Sequence, residues 1–211
     1  MDFSRISGLA AIGFAALIVG GNLIMVPYGL PLTGAPQAEV TAFFGTNGGI
    51  VGLASALGPA TWFLATLFGA GAVSVLWQSE RGWALTGFAG LILQNVTFTG
   101  VVAARLALTR TAAPPLWALH DGVFTLNGTF LALAMVGLSV GGLRARLIGP
   151  WHAGLGLVAA ALQFTSASLA YVVMQGSLGF VGLAGWLLWV VWLVLWGVRL
   201  LRVRSVEAVT P

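Results

Sequence analysis

Two adjacent residues, His120 and Asp121, lie inside a long apolar run, and Asp121 is the only Asp of the chain within a hydrophobic span. An ionisable group in hydrocarbon is costly, so it faces a cavity, a partner or a substrate. A carboxyl group in an apolar pocket has the chemistry of an acid or base, with the neighbouring imidazole as proton partner. Asp121 and His120 are therefore the candidate catalytic pair. Arg105, in the preceding apolar run, is placed to tune Asp121, to pair with it directly, or to hold an anion.

The remaining candidates are polar residues expected in the middle layer, Gln94, Asn95, Asn127 and Gln163, and in the outer layer, Tyr171, with Glu39 in a loop and Trp189 on the last apolar run. At 100° per residue, Gln94, Thr97, Val101 and Arg105 share one helix face. His120, Asp121, Phe124, Thr125, Asn127 and Gly128 fill one sector of the next helix. Gln163, Ser166, Ala170 and Met174 form a small-residue face on the one after. Three successive helices thus offer polar faces to one space, and the expectation is an outward-facing polar pocket with apolar walls. The competing reading is that these amides only join helices, at about 0.6–2 kcal/mol per hydrogen bond.

The elements that position these residues follow from composition. The chain has 211 residues, of which 59% are hydrophobic and 7% charged, with a mean hydropathy of +1.00. A soluble surface needs more charge than that, whereas about 18 or more apolar residues in succession suffice to cross a bilayer. The pattern predicts an all-α, polytopic transmembrane helix bundle forming a single domain over residues 1–211. Six spans are expected at about 6–26, 50–77, 83–108, 117–141, 151–174 and 178–201, the first retained rather than cleaved. Residues 37–44 read as a short interfacial helix in the first outer loop, and Gly58-Pro59 as a kink in the second span.

An even number of spans places both termini on one side. Seven arginines fall on that side (Arg5, Arg81, Arg144, Arg146, Arg199, Arg202, Arg204) and only Arg105 and Arg110 on the other. The positive-inside rule then makes both termini cytoplasmic. Trp77, Trp83, Trp117 and Trp151 fall at the expected interfaces. The basic residues form no patch, so nucleic acid is not an expected partner.

His120 and His152, the only histidines, fall on opposite membrane faces and cannot share a metal ion; no metal or other cofactor is expected. His152 reads as a polar cap at a helix start. There is no cysteine, which excludes disulfides and thiolate chemistry. Trp186, Trp189, Trp192 and Trp196 form a stripe suited to packing or to an aromatic wall.

The segment Gly34-Ala35-Pro36-Gln37-Ala38-Glu39-Val40-Thr41-Ala42-Phe43-Phe44 and the segment Gly149-Pro150-Trp151-His152-Ala153-Gly154-Leu155-Gly156 resemble loops of small actinobacterial integral membrane proteins of unknown function. That resemblance implies a similar multi-helix bundle in a bacterial plasma membrane, and no activity.

The functional expectation is a membrane protein that binds a hydrophobic lipid- or isoprenoid-like molecule and, as an enzyme, transforms it by acid–base isomerisation or cyclisation. The alternative is a transporter or an accessory subunit of a membrane complex. Expected partners are membrane lipids and the hydrophobic small molecule. A homo-oligomer or a membrane partner protein stays open.

Overall fold

The computed structural model describes residues 2–203. The polar tail expected beyond them, and with it Arg204 of the arginine tally, lies outside the described residues. Among those residues the structure is all-helical, with no strand. Helix α1 is Phe3–Met25, followed by a 3-10 turn, Val26–Tyr28, and α2, Gln37–Thr46. The expected second span is two helices, α3 (Gly48–Ser55) and α4 (Gly58–Leu76). The break comes where Pro59 lacks the N–H that would bond the carbonyl of Ser55, the last residue of α3. Then follow α5 (Arg81–Leu108), α6 (Pro114–Arg144), α7 (Pro150–Ser168), the single turn α8 (Ala170–Val173) and α9 (Gly179–Arg202). Proline sits in the first turn of α4, α6 and α7, where its fixed φ suits a helix start and its missing N–H costs nothing.

Among the described residues, five segments are long and apolar enough to cross a membrane: Phe3–Tyr28, Gly48–Leu76, Arg81–Leu108, Pro114–Arg144 and Gly179–Arg202. The expected span at 151–174 does not stand as one helix. It is divided at Leu169 between α7 and α8, and its more polar composition keeps it out of the apolar set.

The long helices close into a ring. Going round it, α1 packs on α4, α4 on α5, α5 on α6, α6 on α7, α7 on α9, and α9 back on α1. Glycine permits the closest approaches. A Cβ at Gly137 of α6 would lie 2.3 Å from the Gly87 nitrogen of α5, and one at Gly8 of α1 would lie 2.7 Å from the Gly197 carbonyl of α9. With little hydrophobic drive between helices in lipid, such backbone contact supplies the van der Waals packing.

One end of the ring is filled. Phe14, Phe68, Leu91, Leu138, Trp192 and Trp196 are fully buried in one apolar cluster there. Of the tryptophan stripe, Trp192 and Trp196 therefore serve packing, and the Trp192 indole N–H donates to Ser139 Oγ at 3.0 Å. His152 does not cap its own helix as expected. Its Nε2 lies 3.2 Å from the Trp192 carbonyl, tying α7 to α9.

A second cluster joins Val40, Phe43 and Phe44 of α2 to Met25, Val51, Leu108 and Trp117. The apolar residues of α2 thus pack on protein. Trp117, expected at an interface, is buried in this cluster. The turn joining α4 to α5 is fastened by Glu80, which accepts the Arg144 Nε–H at 2.9 Å.

Candidate functional site

The chemistry-bearing centre is built on α5 and α6. Trp117, His120 and Phe124 recur at spacings of three and four, so their rings stack along one side of α6. The His120 ring lies 4.7 Å from Trp117 at 11° and 6.0 Å from Phe124 at 5°. This aromatic clamp fixes the imidazole plane. Arg105, from α5, lies with its Cζ 5.9 Å from the Phe124 ring centre.

Arg105 Nε donates to His120 Nε2 at 3.1 Å, and His120 Nδ1 lies 3.1 Å from Asp121 Oδ1. A guanidinium can only donate, so Nε2 must carry the lone pair and Nδ1 the hydrogen, which goes to the carboxylate. The expected direct Arg105–Asp121 ion pair is not formed; the imidazole stands between the two charges. Asp121 has a second partner, since its Oδ2 accepts the Gly34 backbone N–H at 2.8 Å.

Gly34 belongs to the loop between the 3-10 turn and α2. Its φ is +79°, and a Cβ there would lie 2.3 Å from the nitrogen of Gly176, itself at φ +84°. Only a residue without a side chain meets both requirements. Asp121 therefore acts behind the site, holding the loop down and orienting His120.

In front of His120 and Arg105 opens a chamber of about 1270 Å³. It lies between α1, α5, α6, α7 and α9, under the loop carrying Gly34. Gln94, Arg105, His120, Asn127, Gln163, Glu39 and Trp189, all singled out from sequence, line it. Asp121, Asn95 and Tyr171 do not. Asn95 turns to α4, where Nδ2 donates to the Trp62 carbonyl at 3.2 Å and approaches Thr66 Oγ1 at 3.3 Å. Tyr171 is 77% exposed. The amide of Gln163 donates to the Gly182 carbonyl at 3.1 Å, joining α7 to α9.

Four lining residues are buried, and their side chains form no hydrogen bond among the described residues. Gln94 is 2% exposed, Asn127 4% and Trp189 1%; Thr125 is similarly buried. Orphaned polar atoms are Gln94 Oε1, Asn127 Oδ1, Thr125 Oγ1 and Trp189 Nε1. Elsewhere in these helices hydroxyls bond the carbonyl four residues back, as Thr97 does to Leu93 and Thr99 to Asn95. Thr125 departs from that habit. Trp186 and Trp189 give the chamber an aromatic side.

Reading from sequence missed the Gly34 N–H and the stacking of Trp117 on His120. The 117, 120, 124 spacing was available as a signal for the second. Nothing local marked the first.

Fold and site together define an all-helical bundle, apolar enough to cross a membrane, with a largely apolar chamber at one end that carries a few polar side chains. No family model, curated protein or solved structure matches the chain.

Proposed function

We propose that the chain is a multi-pass membrane protein whose chamber binds one lipid-like or isoprenoid-like molecule. The polar end of that molecule meets Arg105, Gln94, Thr125 and Asn127, and its apolar body lies along Trp186 and Trp189. The observation that carries the reading is the set of orphaned polar atoms lining the chamber, Gln94 Oε1 on α5, Thr125 Oγ1 and Asn127 Oδ1 on α6, and Trp189 Nε1 on α9. An unpaired buried polar group costs about 1–3 kcal/mol, and four of the nine such side-chain atoms among the described residues line this chamber, where a ligand or ordered water answers them.

The acid–base half of the expectation draws less from the geometry. Both His120 ring nitrogens are engaged, by Arg105 and Asp121, and Asp121 does not line the chamber. Binding is the better reading, and transformation by isomerisation or cyclisation would require Arg105 to release Nε2. A transporter or accessory subunit has no comparable observation in its favour, since the end opposite the chamber is filled by packed aromatic and aliphatic side chains.

In the membrane we place six spans, with α7 and α8 making the fifth crossing. The 19 residues of α7 reach roughly 28 Å at 1.5 Å per residue. Its polar residues His152, Gln163 and Ser166 are buried within the bundle, so its lower apolarity does not bar it from lipid. Gly8 against Gly197 brings the two ends of the chain to one end of the bundle. With the arginine tally this supports cytoplasmic termini. The chamber then faces outward, α2 lies at the outer interface, and the resemblance noted above favours a bacterial plasma membrane.

Native mass spectrometry of the detergent-purified protein tests the reading. Wild type should carry a discrete small molecule at near one per chain, and Asn127→Leu should lose it. Equal, mixed phospholipid on both proteins would overturn it.

A further inference from the structure

The chamber wall is incomplete on one side. Between α1 and α9 the backbones touch at Gly8 and Gly197, and Phe14 meets Trp189 edge-on at 5.4 Å. Beyond that point several lining residues of both helices are exposed. Leu23 of α1 is 64% exposed, and Phe180 of α9 is 69% exposed, with Leu183 and Leu187 behind it also exposed. The same stretch of α9 stays packed on α7, where a Cβ at Gly182 would lie 2.8 Å from Ser166 Oγ and one at Gly185 3.0 Å from Leu162. We read the opening as a cleft between α1 and α9, with apolar lips, on the flank of the bundle and not on its α7–α9 side.

The charged residues lining the chamber are Arg105 and, on α2 at its loop side, the exposed Glu39; Arg105 is the buried one. Arg105 forms its one hydrogen bond among the described residues through Nε. Its two Nη groups carry four further N–H donors with no acceptor among the described residues. Asp121 does not supply one: its two oxygens are held by His120 and Gly34.

We propose, resting on the binding reading above, that the occupant is a membrane lipid or lipid-derived molecule with an anionic head. It enters sideways through the α1–α9 cleft, and its carboxylate or phosphate is held by the Arg105 guanidinium. A chamber of about 1270 Å³ exceeds the roughly 300–1,000 Å³ usual for small-molecule pockets and suits a long chain. A lipid leaving the bilayer gains almost nothing by burying its tail, because lipid is as apolar as the cleft. Selection therefore falls on the head, where a charge-assisted bond to a planar two-pronged donor is strongest for carboxylate and phosphate. Gln94, Thr125 and Asn127 supply the remaining polar contacts to that head.

The experiment uses the full chain in phosphatidylcholine nanodiscs doped with one of three probes of equal chain length: a fatty acid, its methyl ester, or a monoalkyl phosphate. Native mass spectrometry then reads the probe retained. The acid, the phosphate or both should be retained at least about tenfold better than the ester, and which of the two prevails tells a carboxylate from a phosphate source. In Arg105→Gln that preference should vanish. Because the wild-type comparison needs no substitution, it stands even where Arg105→Gln folds poorly.

Retention of the ester as well as the anions would overturn the anionic head while leaving the chamber reading intact. Retention of none of the three would sink both. For the route, the chain's lack of cysteine lets Leu23→Cys with Leu183→Cys be bridged by a bismaleimide across the cleft. Bridging should slow probe uptake by about tenfold or more in timed samples. Uptake at the unbridged rate would overturn lateral entry.

Discussion

Asp121 accepts the backbone N–H of Gly34 at 2.8 Å across 87 positions of sequence, so a carboxylate in the middle of the fold fixes the loop that covers the chamber. Its other oxygen takes the hydrogen of His120 Nδ1 at 3.1 Å. Both oxygens must accept. Asparagine offers one oxygen and one NH2, so Asp121→Asn sets a donor against a donor whichever way the amide turns. The substitution is expected to destabilise the protein by about 1–3 kcal/mol. It should also speed hydrogen exchange at the Gly34 amide. Unchanged melting in detergent together with unchanged exchange would contradict the assignment.

The tautomer of His120 is a second consequence. Arg105 donates to Nε2, so the ring hydrogen resides on Nδ1. Nitrogen-15 spectra of histidine-labelled protein should show one buried histidine with an unprotonated Nε2 and a protonated Nδ1. The same residue in Arg105→Gln should lose that fixed assignment or change its shift. An Nε2–H tautomer in the wild type would refute the Arg105–His120 bond.

Gly34 and Gly29 separate the two demands on a loop glycine. Both have positive φ, +79° and +81°, but an added Cβ at Gly29 meets nothing within 4 Å, whereas one at Gly34 meets the Gly176 backbone at 2.3 Å. Gly29→Ala should therefore show only the conformational cost of about 1–2 kcal/mol. Gly34→Ala should cost more, because the loop must also leave Gly176 and with it Asp121. Limited proteolysis within residues 29–36 reads the difference, and equal cleavage of the two variants would count against the loop's being held at Gly34.

Periodicity and hydropathy made the helices legible, because a bilayer leaves few alternatives to helix for an apolar run. They also marked Gln94, Arg105, His120 and Asn127, since a polar residue stands out against Leu and Val. They could not say which polar residue turns which way. Gln94 and Asn95 are neighbours in sequence, yet Gln94 faces the chamber and Asn95 faces α4. That depends on how α5 is rotated between its neighbours, which tertiary packing sets. Nor could they show that Asp121 works through a glycine in a distant loop. The split of α7 from α8 at Leu169 had no proline or glycine to announce it.

The same pair gives a prediction of opposite signs. Asn95 is bonded to the Trp62 carbonyl at 3.2 Å and joins α5 to α4. Asn95→Leu should then destabilise the bundle by about 0.6–1.7 kcal/mol, the range for an interhelical hydrogen bond in a membrane protein. Gln94 is also buried, and although both side-chain oxygens are orphaned, only Asn95 bonds through its amide nitrogen: the Gln94 side chain has no partner among the described residues. Gln94→Leu removes a desolvated group that nothing in the protein compensates, so the ligand-free protein should become more stable, by up to about 1 kcal/mol. A side chain kept against its own stability is one kept for something else, so the same variant should lose its bound molecule. Thermal denaturation of delipidated protein, beside native mass spectrometry of the protein as purified, reads both effects. If Gln94→Leu destabilised as Asn95→Leu does, Gln94 would be helix glue and the polar set lining the chamber would lose one of its members.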